Sequence, residues 1–230
     1  MIRKAIHWTG RALRKLGHEI LRRNGIQGTW VDVGAHHGEL TLGEANQYPG
    51  LRVFAFEPNL RAATRMMGRG PNFVVIPMAV AETDGCADLH VNAHEESSSL
   101  LPMNDEALKT WVGIEELKVD SVVKVPTIRL DTFMGLAGIT SIDYLKIDAQ
   151  GMDLAVLRSA GSRLRDIAKV TLEVEVAPVH CFVGAPSKDE VVTFLEKAGF
   201  VLVGAESQTH GQEENLTFVR KQNSGSGGSR

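Results

Sequence analysis

The sequence has few cysteines, few aromatic residues and no large excess of charge of either sign. Its two cysteines, Cys86 and Cys181, match neither a metal-binding spacing nor a disulfide framework. A reducing compartment is therefore expected, with the cytoplasm as the predicted location. The net charge is −3, and aromatic residues do not alternate with basic ones, so binding to nucleic acid is not expected.

Long apolar runs are also missing from the sequence. No stretch approaches the roughly 20 consecutive apolar residues that a membrane-spanning helix needs. The first residues are basic but contain no uninterrupted apolar segment, so a secretory signal is not expected. The chain has 230 residues, of which 43% are hydrophobic and 23% charged. This is enough for one large globular domain with a buried core.

Basic residues are concentrated near the N-terminus, where residues 1–23 contain seven lysines and arginines and one acid, Glu19. Four aliphatic residues fall at helical spacing: Ile6, Leu13, Leu16 and Ile20. The pattern predicts a helix over 1–25 that packs on the domain and exposes a basic face. Contact with an anionic membrane or a partner protein is the alternative. Residues 222–230 are rich in serine and glycine, which predicts a disordered tail.

The most informative stretch is residues 29–38, with the sequence TWVDVGAHHG. Its apolar first half predicts a strand, and Gly34 and Gly38 bracket a tight turn that opens a helix. Proteins of the α/β class hold nucleotide-like ligands at such turns. Asp32 stands where a dinucleotide-binding pattern has its first glycine. A carboxylate there disfavours a pyrophosphate and suits a cationic ligand, which points to S-adenosylmethionine before NAD.

Three more positions are predicted to belong to the same ligand site. Glu57 ends the second predicted strand, where an acid in a doubly wound sheet accepts both hydroxyls of a ribose. The strand predicted over 73–80 ends near Met78 and Ala79, which are expected to line an adenine slot. The plainer alternatives are a helix cap for Glu57 and a core position for Met78.

The turn also contains two adjacent histidines, His36 and His37. One is expected to face the cofactor and the other the solvent, and His36 is included among the candidate cofactor residues. Nothing in the sequence decides which of the two does which.

A second polar set follows the later strands. Asp148 ends one predicted strand, and Glu173 and Glu175 alternate on the next, where acids are rare unless they have a partner or a function. His180 follows on the succeeding loop, with an unperturbed pKa of about 6.5. The candidates for a general base that accepts a proton from a hydroxyl are Asp148, Glu175 and His180.

Five stretches together resemble the FkbM-type S-adenosylmethionine-dependent methyltransferases. They are 31–38 (VDVGAHHG), 56–59 (FEPN), 97–100 (SSSL), 127–131 (TIRLD) and 143–151 (DYLKIDAQG). The resemblance implies an α/β fold of the class I methyltransferase type, Rossmann-like, with a seven-stranded and mostly parallel sheet whose last strand is antiparallel. It also implies O-methylation of a small-molecule or glycan acceptor, at a hydroxyl of a sugar, a glycolipid or a natural product.

The sequence departs from this family at two places. The family usually has Asn at the position of His36 or His37, and Glu where Gln150 stands. Losing that acid weakens the argument for a divalent metal at the carboxylates of the later strands. Such oxygen ligands would suit Mg²⁺, but no metal is expected.

Residues 26–221 are predicted to form the methyltransferase domain. Residues 92–121 are predicted to be an insertion that serves as a lid or substrate wall and selects the acceptor. Two other functions stay open. One is a nicotinamide-dependent oxidoreductase, which the missing first glycine disfavours, and the other is a non-catalytic binding protein on the same scaffold.

Overall fold

A computed structural model describes residues 27–112 and 118–221 of the chain. The helix predicted over 1–25 and the tail predicted over 222–230 lie outside the described residues, so both stay predictions. None of the described helices has the length and apolar character needed to cross a membrane.

The described residues contain ten strands and six α-helices. The strands are β1 (Gly28–Val33), β2 (Leu51–Phe56), β3 (Phe73–Ile76), β4 (Ala79–Val80), β5 (Gly85–Asn92), β6 (Val119–Ile128), β7 (Tyr144–Ile147), β8 (Lys169–Glu175), β9 (Phe200–Gln208) and β10 (Glu213–Arg220). The helices are α1 (Leu42–Gln47), α2 (Leu60–Met66), α3 (Ala107–Thr110), α4 (Leu130–Leu136), α5 (Asp153–Ser159) and α6 (Lys188–Lys197).

Seven of the strands form one sheet in the order β3-β2-β1-β7-β8-β10-β9. The first five are parallel, and β10 runs antiparallel to both of its neighbours. The predicted class I methyltransferase fold with an antiparallel last strand is therefore confirmed. The direction of winding reverses between β1 and β7, and the carboxyl ends of strands at such a point form the ligand crevice of open α/β sheets.

The strands of this sheet form because both faces are covered. Val31, Leu145 and Leu172 are fully buried, and the main core continues into the helices through Leu157 and Val191. Parallel strands packed on two faces are nearly continuous in apolar residues, which is why their positions were predictable. The sequence of residues 187–197 predicts a helix with Ser187 as its N-cap, and in the structure Ser187 caps α6 and forms a reciprocal capping box with Glu190.

The prediction of a single strand over 73–80 is wrong. The segment forms two strands, β3 and β4, which are separated at Pro77. A proline has no N–H for a sheet hydrogen bond, and β4 instead joins a second sheet with the order β4-β6-β5. The alternating residues 122–130, interrupted by Pro126, predict an edge strand, but β6 is the middle strand of this sheet. Since β4 pairs only with Thr127 and Ile128, one side of β6 is still open at the proline.

The segment 92–121 is less helical than expected. The sequence of residues 104–117 predicts a helix, whereas α3 covers only Ala107–Thr110, and residues 113–117 lie outside the described residues. Trp111 is buried and donates a hydrogen bond from Nε1 to the carbonyl oxygen of Val179, 2.6 Å away. The segment is thereby attached to the loop that follows β8. A lid function stays a prediction.

Candidate functional site

The turn after β1 packs directly against the end of β7. Gly34 has a φ of +71°, and a Cβ atom there would lie 1.8 Å from the carbonyl oxygen of Asp148. The amides of Gly34 and Ala35 both donate to the carbonyl oxygen of Phe56, at 3.0 Å. Only glycine allows this approach, so the turn, the end of β2 and the end of β7 form one compact edge.

Asp32 is held inside this edge by partners from two other elements. Its carboxylate accepts a 2.6 Å hydrogen bond from Thr41 Oγ1 and lies 3.1 Å from Lys146 Nζ. The β1–β7 register places Asp32 opposite Lys146, and both side chains are buried. The sequence predicts that the Asp32 carboxylate attracts a cationic ligand, whereas in the structure the cation beside it is Lys146. The one available signal was a lysine inside an otherwise apolar strand.

Lys146 also connects the turn to the reacting side of the site. Its Nζ donates to the carbonyl oxygen of Gly34 at 2.8 Å and lies 3.6 Å from Asp148 Oδ2. Burial alone would lower the pKa of Lys146, but the carboxylates of Asp32 and Asp148 raise it above its ordinary value. Lys146 therefore stays charged, and the three groups together leave one net negative charge at this edge.

Glu57 lies beside the glycine turn, where the sequence predicted it. It is buried, and its two carboxylate oxygens accept from the amides of His36 and Asn59, each at 2.8 Å. Burial raises the pKa of Glu57 to about 7, although these two hydrogen bonds act to lower it. A carboxylate has about four acceptor positions, so these contacts leave capacity for ribose hydroxyls.

Both histidines of the turn are partly exposed, with side-chain exposures of 20% for His36 and 32% for His37. Their rings stack with centroids 3.7 Å apart. His36 Nδ1 lies 2.9 Å from Glu39, and His37 Nε2 accepts from Arg65 at 2.7 Å. Both histidines therefore belong to a partly exposed network, and contact of His36 with the cofactor stays a prediction.

This network contains a group with metal-ligand spacing. The ligand atoms of His36, His37 and Glu95 lie within 4.8 Å of one another. Arg65 Nη1, however, lies 2.9 Å from Glu95 in addition to its contact with His37. The guanidinium thus occupies the space between these two groups, and its positive charge opposes a metal ion there.

Met78 and Ala79 lie where the two sheets meet. Ala79 is buried against Leu89 and Val125 of the small sheet, and Met78 packs against the main core. These contacts match the core position that was the plainer alternative for Met78. A role of either residue in binding adenine stays a prediction.

Asp148 follows β7 and is 38% exposed. Its Oδ1 accepts a 2.8 Å hydrogen bond from Gln150 Nε2, and the same nitrogen lies 3.4 Å from Glu173 Oε2. Gln150, the residue that departs from the family pattern, therefore links two of the predicted carboxylates. It adopts a φ of +50°, which turns the chain sharply toward α5.

Glu175 and His180, the other predicted bases, come together at the end of β8. Glu175 Oε2 accepts from the amide of Cys181 at 2.9 Å and lies 3.8 Å from His180 Nδ1. Burial raises the pKa of Glu175 to about 7, opposed by the Cys181 amide and assisted by the charge of Glu213. His180 Nδ1 is also 3.1 Å from the carbonyl oxygen of Ala185, which orients its ring.

Glu173 and Glu175 line a small cavity with two acids that the sequence analysis missed, Asp153 and Glu213. Glu213 lies directly opposite Glu175 in the β8–β10 register, and Asp153 is the first residue of α5. Burial, followed by the charge of Asp148, raises the pKa of Asp153 to about 8. Glu173 also has a raised pKa, because it is desolvated and lies near the charge of Glu213.

The chain is similar in sequence and in fold to known methyltransferases. The 2-O-methyltransferase NoeI of Sinorhizobium fredii (strain NBRC 101917 / NGR234) is 28% identical over 138 residues. That alignment covers 55% of this chain and 55% of NoeI, so the chain matches about half the length of this relative. The magnesium protoporphyrin IX methyltransferase ChlM of Synechocystis PCC 6803, solved with bound SAH, matches 96% of this chain and 88% of its own, with 11% identity and a TM-score of 0.50.

The likeness to ChlM concerns the fold alone. A model of the methyltransferase FkbM domain matches residues 32–202, a span that contains the glycine turn, Glu57, Asp148 and the acids of β8. This match covers well over half of the chain, so the chain belongs to the FkbM methyltransferase domain family.

Proposed function

We propose that this chain is an S-adenosylmethionine-dependent O-methyltransferase whose acceptor is a hydroxyl of a sugar, a glycolipid or a natural product. The observation that carries the proposal is the meeting of three groups at the carboxyl edge of adjacent strands: the Gly34 turn, Glu57 and Asp148. Family membership and the name of the relative NoeI support the same assignment.

The residues on the β1–β2 side fit S-adenosylmethionine. Glu57 is a buried carboxylate with acceptor capacity beside the turn, as a ribose requires. The Asp32–Lys146–Asp148 set leaves one net negative charge, which suits a ligand that carries an ammonium and a sulfonium. When bound, this cofactor supplies the electrophilic methyl group.

The residues on the β7–β8 side prepare the acceptor. Methyl transfer requires a hydroxyl oxygen aligned with the methyl group and a group that takes up its proton. Asp148 is the candidate base, since its carboxylate is partly exposed and is held by Lys146 and Gln150. Glu175 and His180 are the candidates for holding or relaying the proton further along the same edge.

Calorimetry with S-adenosylhomocysteine and with NAD tests the cofactor assignment. We expect S-adenosylhomocysteine to bind and NAD not to bind. The opposite result, with an absorbance change of the nicotinamide during turnover, would support an oxidoreductase and reject the proposal. Transfer of an isotope-labelled methyl group to a panel of sugar acceptors tests the reaction, and cofactor binding without any transfer would favour a non-catalytic binding protein.

A further inference from the structure

The cavity beside Asp148 has an unusual lining. It encloses about 10 Å³, close to the space that one water molecule needs. Four acidic residues from three elements are among those that line it: Asp153, Glu173, Glu175 and Glu213. Glu173 and Glu175 share one face of β8 because they are two residues apart, and the register brings Glu213 to the same face from β10. We refer to this set as the acidic cavity.

The acidic cavity has little positive charge to balance it. Within the described ranges, no lysine or arginine forms an ion pair with any of the four acids. The buried Lys146 is held by Asp32, Asp148 and the Gly34 carbonyl. His180, at 3.8 Å from Glu175, is the basic side chain that comes near. Buried acids are normally paired, so this set is incomplete as it stands.

Two of the residues that line the cavity, Asp153 and Glu175, each have a buried carboxylate oxygen that lacks a hydrogen-bond donor among the described residues. Asp153 is 3% exposed and Glu175 is 6% exposed. Asp153 Oδ1 and Glu175 Oε1 accept no hydrogen bond in the part of the chain that the structure describes. A buried acceptor without a donor is costly, and such groups in native proteins usually have a partner. A small cation that carries several hydrogen-bond donors would supply both the donors and the charge that these residues lack.

An ammonium group satisfies these three conditions. It has the size of a water molecule, carries a positive charge and offers three N–H donors with no acceptor. A single hydroxyl offers only one donor. A divalent metal is less suited, since among the described residues the only group with metal-ligand spacing is the one at His36, His37 and Glu95.

We propose that the acidic cavity binds a primary ammonium group of the methyl acceptor, so that the acceptor is an amino sugar or another polyol that carries a free amine. This inference rests on the proposed function. Gln150 bridges Asp148 and Glu173, so the ammonium is one side chain away from the candidate base. The amine and the hydroxyl to be methylated therefore belong to the same ring or to adjacent rings.

Glucosamine and N-acetylglucosamine are matched probes, because acetylation removes the charge and leaves the ring unchanged. Both are titrated into the full chain saturated with S-adenosylhomocysteine, and binding is followed by calorimetry. Glucosamine is expected to bind about tenfold or more tightly than N-acetylglucosamine, since the neutral amide forms no charged hydrogen bond. Equal affinities, or no binding of glucosamine, would overturn the proposal.

Variants locate the binding. Glu175→Gln and Asp153→Asn should each weaken glucosamine binding about tenfold, whereas Glu206→Gln on the exposed part of β9 should leave it unchanged. Thermal melting checks that each variant is folded, and the wild-type comparison of the two sugars needs no variant. Binding of Mg²⁺ alone that is lost in Glu175→Gln would instead identify a metal site.

The same samples separate this inference from the proposed function. If S-adenosylhomocysteine does not bind, the proposed function fails. If it binds while the two sugars are not distinguished, the proposed function stands and the ammonium assignment fails.

Discussion

Two parts of the molecule bury carboxylates, and they differ in how the charge is compensated. At the glycine turn, Asp32 has Lys146 and Thr41 as partners, and Glu57 accepts from two backbone amides. In the acidic cavity, the carboxyl groups face one another and two oxygens have no donor within the described residues. Within the described residues, the carboxylates at the turn have a cationic or hydrogen-bonding partner, whereas no lysine or arginine forms an ion pair with the four acids of the cavity. We therefore expect the paired carboxylates of the turn to raise the free energy of unfolding. We expect the unpaired acids of the cavity to lower it and to bind a ligand instead.

The sharpest test of the comparison removes the cation from the turn. Lys146→Met leaves Asp32 buried without its ion-pair partner, and the free energy of unfolding should fall by about 3–5 kcal/mol. Chemical denaturation measures this loss. Lys188→Met is the matched control, since Lys188 forms an ion pair with Glu214 at 2.6 Å near the surface and should cost about 0–1 kcal/mol. Similar losses in both variants would contradict the assigned role of Lys146.

The next largest effect concerns the shape of the turn. Gly34→Ala places a Cβ atom against the carbonyl oxygen of Asp148 and should lower the free energy of unfolding by about 2–4 kcal/mol. Gly68 has nearly the same φ, +74°, but a Cβ atom there meets nothing within 4 Å. Gly68→Ala therefore isolates the backbone cost of about 1–2 kcal/mol. If Gly34→Ala and Gly68→Ala unfold at the same denaturant concentration, the close approach of Gly34 to the carbonyl oxygen of Asp148 adds nothing to the cost of the substitution.

A third test asks whether Glu57 binds the cofactor or only supports the turn. Glu57→Gln keeps the shape of the side chain but replaces one acceptor oxygen by an NH₂ group. We expect affinity for S-adenosylhomocysteine to fall by about 1.5–3 kcal/mol, as measured by calorimetry. Glu39→Gln, in the same turn but 44% exposed, should change it little. A stable Glu57→Gln protein with unchanged affinity would leave Glu57 as a structural acceptor only.

The smallest expected effect is the pH dependence that the acidic cavity causes. Burial raises the pKa of Glu175 from 4.5 to about 7, so the folded protein holds this proton more tightly than the unfolded chain. The stabilisation is complete below about pH 4.5 and is lost as the pH rises through about 7. Glu213 faces the same carboxyl with its own raised pKa, and His180 lies beside it.

Glu175→Gln should therefore flatten the decrease in unfolding free energy between about pH 5 and pH 8 by about 1–2 kcal/mol. Thermal melts across this range measure the difference from wild type. Glu206→Gln provides the exposed control. A pH profile that is identical in wild type and Glu175→Gln would show that this carboxyl is ionised in the free protein.

The strands that carry the site could be located from the sequence because each is a short apolar run with a local end signal. The apolar runs 30–33, 51–56 and 144–147 predict strands, and β1, β2 and β7 begin and end within two residues of these bounds. Glu57 and Asp148 were found because they stand directly after such runs. The division at Pro77 was missed, since the apolar character continues on both sides of the proline and only the pairing partners change.

The partners of these acids could not be read from the sequence. Lys146 meets Asp32 across a β1–β7 pairing that joins residues 114 positions apart. Glu213 meets Glu175 because β10 inserts between β8 and β9, and one residue of slip would turn it to the opposite face of the sheet. Asp153 was overlooked because an acid in the first turn of a helix is common on electrostatic grounds alone.

The sequence by itself determined the class of the fold, the family and the order of the glycine turn, Glu57 and Asp148 along the crevice. Apolar periodicity and glycine spacing are local properties, and a few residues suffice to express them. Only the tertiary structure decided which carboxylates have an ion-pair partner and which do not. Ion pairs and cavities depend on the register between distant strands, and that register is set by packing of the whole sheet. At the glycine turn Lys146 neutralises a buried carboxylate, whereas the acids of the acidic cavity have no lysine or arginine partner within the described residues.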